Sequence, residues 1–234
     1  MVHLTKTLPV LALILVVACD APDRQADPDV TGDTVPTVTA ETHRQQVQVA
    51  VRDTRDRVDG RQARISERSD DLWDRISSRA NETWREIESG LDGIRDDDPG
   101  SINRSREDAA RRLAELQAEL AEAEVATAQT PEELRDVTHD WLREIESDVS
   151  QLEQLLPQVR EADRSDVDLD RDDLRDVRAH MHEIEADVRE ALADDMEDFG
   201  NWREDIARDL ADLVQEVREA HYRLQWRHPG ADRR

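Results

Sequence analysis

Leu113-Ala114-Glu115-Leu116-Gln117-Ala118-Glu119-Leu120-Ala121-Glu122-Ala123 places Leu113, Leu116, Leu120 and Ala123 at alternating steps of three and four. That spacing puts the apolar residues on one stripe of a helix, the pattern of a coiled-coil seam. The stripe extends back to Ala109 and Ile102 and forward to Thr127. Thr130-Pro131-Glu132-Glu133 then interrupts and restarts it, with Thr130 as cap, Pro131 at the first helical position and Glu133 reaching back to the Thr130 amide. Leu134, Thr138, Trp141, Ile145, Leu152, Leu156 and Val159 carry the stripe onward.

Two further stripes flank this one. Val51, Val58, Ile65 and Leu72 recur every seven residues, followed by Ile76, Thr83, Ile87, Leu91 and Ile94. Asp96-Asp97-Asp98-Pro99-Gly100 stops the run, because Pro and Gly oppose helix continuation. After an aperiodic turn at 164–168, Leu174, Val177, Met181, Ile184, Val188 and Ala191 form the third stripe. It continues, after a phase slip, through Leu192, Phe199, Ile206, Leu210, Leu213, Val217, Ala220 and Leu224 to Pro229-Gly230.

The expectation is an all-α fold. It is an elongated antiparallel three-helix bundle or coiled coil over 41–228, with helices at about 41–95, 102–160 (broken at 130–131) and 170–228. Each helix is roughly 80 Å long if continuous. A bundle of shorter helices broken near Gly60, Thr130-Pro131 and Gly200, or an elongated dimer, also fits the pattern. Residues 229–234 read as a disordered tail. The seams serve intramolecular and intermolecular packing equally well, which leaves the oligomeric state open.

Composition sets the surface. The chain has 57 acidic and 32 basic residues, a net charge of −25, and Lys6 is its only lysine. Such a surface repels nucleic acid and anionic lipid head groups, and neither is an expected partner. It also repels itself, so the fold is expected to lose helix at low ionic strength. High charge is the usual mark of disorder, but the helical period outweighs it beyond residue 40. Residues 20–40 show no period, are rich in Asp, Thr and Pro, and read as a disordered tether.

The N-terminus carries an address. Leu11-Ala12-Leu13-Ile14-Leu15-Val16-Val17-Ala18 is apolar but shorter than the ~20 residues that span a bilayer, and Lys6 precedes it. Cys19, the single cysteine, follows directly, which excludes an intramolecular disulfide. Val16-Val17-Ala18-Cys19 resembles the lipobox of bacterial lipoproteins, a likeness confined to the first nineteen residues. The resemblance implies a signal peptide over 1–18, cleavage before Cys19, and covalent diacylglyceryl and N-acyl (palmitate-class) lipid on Cys19. It implies a cell-membrane location facing the periplasm or exterior, with the lipidated N-terminus and tether over 19–40. In enteric members an aspartate at the position of Asp20 implies the inner membrane. Small helical lipoproteins bonded to peptidoglycan use a C-terminal lysine; this chain ends Ala231-Asp232-Arg233-Arg234, and wall attachment of that kind is not expected.

Few residues suggest chemistry. Trp73 and Trp84 lie eleven apart, on nearly one line of a helix. They read either as flanks of the buried seam or as a docking stripe for a partner. Trp84-Arg85-Glu86-Ile87-Glu88 is echoed around Trp141 and loosely around Trp202, as in a weak helical repeat. Asp166, Asp168, Asp170 and Asp172 open like a calcium loop. However, Arg171 stands where the turn needs glycine and Val177 where it needs glutamate, so they read as a solvated acidic turn and only weak metal candidates. His180 and His182 point to different sides of a helix and read as surface groups. No phosphate loop or nucleophile motif is present, so an enzyme and a cofactor are not expected. The functional expectation is a membrane-anchored extracytoplasmic scaffold or adaptor that binds an unidentified envelope protein. The alternatives are a periplasmic chaperone or stress-sensing helical protein, and a weak divalent-cation binder.

Overall fold

A computed structural model describes residues 39–94, 98–158, 171–193 and 198–227. Six α-helices occupy them: α1 Ala40–Ser66, α2 Asp70–Asp92, α3 Pro99–Ala126, α4 Pro131–Leu155, α5 Arg171–Ala193 and α6 Phe199–Arg227. A 3-10 turn, Leu156–Gln158, extends α4. The described residues contain no strand, and no helix among them is long and apolar enough to cross a membrane.

The all-α expectation holds, but the three continuous helices do not. The segment 41–95 breaks at residues 67–69, where Ser69 Oγ accepts from the Leu72 amide and Asp70 and Asp71 occupy the first turn of α2. Those acids favour the positive end of the helix dipole. The chain then folds back. Arg44 Nη2 donates to the Ile94 carbonyl at 3.2 Å, and Arg55 pairs with Glu88 at 3.5 Å with its guanidinium over the Trp84 ring. The break is not at Gly60, which lies inside α1. Folding back buries the apolar stripe Ile76, Ala80, Trp84, Ile87 and Leu91, which one long rod would leave half covered.

The break at 127–130 is likewise a reversal. Thr130 Oγ1 accepts from the Glu133 amide as expected of a cap, but the Glu133 carboxylate takes the Gln129 amide rather than that of Thr130. The third segment divides between Ala193 and Phe199, the place of the phase slip, with Gly200 in the first turn of α6.

Three helical hairpins therefore share one core. Helix α3 packs against α1, α2, α4 and α6, and α6 packs against α3, α4 and α5. The α3–α6 seam is the most extensive contact. Ala110, Ala114, Ala118 and Ala121 of α3, with Ala207 and Ala211 of α6, are buried, and such small side chains permit close helix approach. Leu113, Leu116, Leu120, Leu210, Leu213 and Leu224 fill the seam, each contributing ~2 kcal/mol on burial. Arg203 Nη1 donates to the Ala128 carbonyl at 3.1 Å, tying the start of α6 to the end of α3.

Candidate functional site

Four charges occupy core steps of their helices. Arg61 follows Thr54 and Val58 on the buried stripe of α1, and Asp148 sits between Ile145 and Leu152 on that of α4. Glu124 of α3 and Arg218 of α6 do the same, all four being under 7% exposed. A lone buried charge is costly, and each of these is paired.

The pairs form a chain across the fold. Glu124 accepts from Arg61 Nε at 2.6 Å and from Trp141 Nε1 at 2.9 Å, and Arg64 approaches it at 3.0 Å. The Arg61 guanidinium stacks on the Trp141 ring, 3.9 Å from its centre, in a cation–π contact. Arg61 also donates to Glu144 at 2.7 Å, and Glu144 in turn receives Arg218 Nη2 at 3.1 Å. Arg218 Nη1 meets Asp148 at 2.7 Å, and Asp148 pairs with His221 Nδ1 at 3.2 Å. Beside them, Gln117 Nε2 donates to Tyr222 Oη at 2.7 Å and to Thr54 Oγ1 at 3.2 Å.

This chain opens at one end into a cleft of about 540 Å3 between α1, α4 and α6. Arg57, Asp148, Arg218, His221 and Tyr222 line its inner part, and Gln45, Val49 and Asp53 its α1 side. Val49, 56% exposed, is the one large hydrophobic left in solvent among the described residues. Burial pulls the Arg218 guanidinium below its ordinary value; Asp148 opposes this and the charge of nearby Arg57 adds to it. Arg218 Nε and His221 Nε2 have no hydrogen-bond partner among the described residues. On the wall of the cleft, Trp226 stacks on Tyr222 and meets the edge of buried His43. Desolvation, then Arg106 and Arg44, lower the His43 pKa to about 4.

The residues singled out from sequence lie elsewhere. Trp84 is buried, with Arg55 on its ring, and Trp73 is half-buried against the core. Trp84 faces inward where α2 folds back onto α1 and α3, whereas Trp73 keeps part of its ring open. Cys19 and Asp20 lie outside the described residues, as do Asp166, Asp168 and Asp170. Asp172 starts α5 and pairs with Arg175 at 2.9 Å. His182 is exposed beside Glu185, and no group of three His, Cys, Asp or Glu among the described residues is placed to hold a metal.

The arrangement defines an all-helical protein with a polar cleft over a buried ion-pair chain. In comparison with protein families, curated proteins and solved structures, the chain matches none.

Proposed function

We propose that this protein is a membrane-anchored, extracytoplasmic scaffold or adaptor lipoprotein that acts by binding, not catalysis. In this reading Cys19 carries the lipid, residues 20–40 give reach, and a partner in the envelope is engaged at the α1–α4–α6 cleft. The observation that carries it is the coincidence, at one cleft, of exposed Val49 with polar side chains fixed from beneath by buried ion pairs. A recognition surface held rigid before the partner arrives loses less conformational entropy on binding. The three-and-four spacing of Leu113, Leu116, Leu120 and Ala123 further supports coiled-coil-like packing along the α3–α6 seam.

A chaperone that holds unfolded clients needs apolar surface, and among the described residues Val49 alone is too little for it. The test is photocrosslinking in cells from Gln45, on the cleft rim, against Arg175 on the far helix α5. One saturable adduct from Gln45 and none from Arg175 supports an adaptor working through the cleft; equal scatter from both sites refutes it. Replacement of Cys19 by Ser is expected to move the protein from the membrane to the soluble fraction, and unchanged fractionation would count against the anchor.

A further inference from the structure

We infer that the α1–α4–α6 cleft recognises a carboxylate that carries an apolar group. This deepens the adaptor reading by naming the chemistry of the cleft. Arg57 lies on the inner wall, its side chain one-third exposed. Its two polar contacts are long, 3.4 Å to Gln117 Oε1 and 3.6 Å to Glu144. It therefore keeps hydrogen-bonding capacity at the wall, unlike Arg61 with its contacts of 2.6 and 2.7 Å.

Arg218, close enough for the charge of Arg57 to be felt, has its Nη atoms committed to Asp148 and Glu144 while Nε–H remains unpartnered. An unpartnered buried N–H asks for an acceptor, and a second guanidinium alongside asks for a negative one. His221 lies one turn on, at i+3 and on the same face, with Nδ1 toward Asp148 and Nε2 unpartnered.

The charged groups around this point are Asp53 and Arg57 from α1, Glu144 and Asp148 from α4, and Arg218 from α6. With three carboxylates already present, a single negative charge fits better than a phosphate dianion. Val49 supplies the apolar contact at the rim, and the volume of about 540 Å3 lies in the usual range for small ligands. A free organic acid and the terminal carboxylate of a peptide ending in an apolar residue share this chemistry.

The test is calorimetric titration of the full-length protein in a neutral detergent. The probes are phenylacetate, a short peptide ending in leucine, and the methyl ester or amide of each. Saturable binding of either acid, with its capped form at least tenfold weaker, supports the inference; which acid binds identifies the source. Arg57→Gln is expected to weaken binding about tenfold at unchanged melting temperature, with Arg57→Lys in between. Val49→Asp, a surface change that leaves the core intact, is expected to weaken it through like-charge repulsion. Equal binding of acid and capped form overturns the inference, as does no binding of either acid at ~10 mM. If neither acid binds while the Gln45 crosslink persists, the carboxylate assignment falls and the adaptor reading stands.

Discussion

Arg61 and Arg178 each hold two carboxylates, in opposite surroundings. Arg61 reaches Glu124 and Glu144 with a side chain 7% exposed, whereas Arg178, on the open side of the α4–α5 groove, reaches Glu146 and Glu153 at 33% exposure. Hydrogen bonds that Arg178 donates to both glutamates raise its pKa further, yet its charge is favourable in water in any case. Water screens the α5 pairs and would hydrate either partner if the other were lost. At the centre Arg61 and Glu124 are buried away from bulk solvent, so removal of one partner strands the other. The same residue types thus do different work. The α5 pairs decorate a surface, whereas the central chain fixes the relative position of α1, α3, α4 and α6.

The sharpest way to break this contrast is Glu124→Gln, which leaves Arg61 short of its closest counter-charge at 2.6 Å. A loss of ~3–5 kcal/mol in urea unfolding is expected, with a lower midpoint and little change in slope. Asp148→Asn comes next, at ~2–4 kcal/mol, because Arg218 keeps Glu144 but loses the negative charge of Asp148, which also faces His221.

His43 sharpens the comparison through pH. Its folded pKa lies near 4 against an ordinary 6.5, so between those values the unfolded chain binds the extra proton. Its contribution to stability is fully present above about pH 6.5 and is lost as pH falls toward 4. Melting of the wild type against His43→Gln over that window should show the difference shrinking by on the order of 3 kcal/mol as pH falls. A constant difference would remove His43 from the account. Arg178→Gln closes the series, with an expected cost below ~1 kcal/mol.

The contrast also explains what was legible in the sequence. Helical period is carried by apolar residues, and the stripes of α3, α4 and α6 are buried as read. The reversal at 67–69 was hidden because Ile65, Leu72 and Ile76 keep the seven-and-four rhythm straight across it. Only Ser69-Asp70-Asp71 marks a new helix start, and in so acidic a chain that signal is weak. Arg61, Glu124, Asp148 and Arg218 are hard to single out for a related reason. A stripe is read by its hydrophobes, and among 57 acidic and 32 basic residues a charge at a core step looks like its neighbours. Asp148, midway between Ile145 and Leu152 in an otherwise apolar progression, is the one whose position most nearly betrays it. Trp73 and Trp84 drew attention by spacing alone, which cannot say which side of a helix is covered by a later segment of the chain.

Burial, not charge type, makes the inner ion pairs structural. Two double-mutant cycles test it most directly: Arg61→Met with Glu124→Leu, and Arg178→Met with Glu153→Leu, followed by urea unfolding. The account predicts a coupling energy above ~2 kcal/mol for the first pair and below ~1 kcal/mol for the second. Equal couplings, or a larger one at Arg178–Glu153, would contradict it.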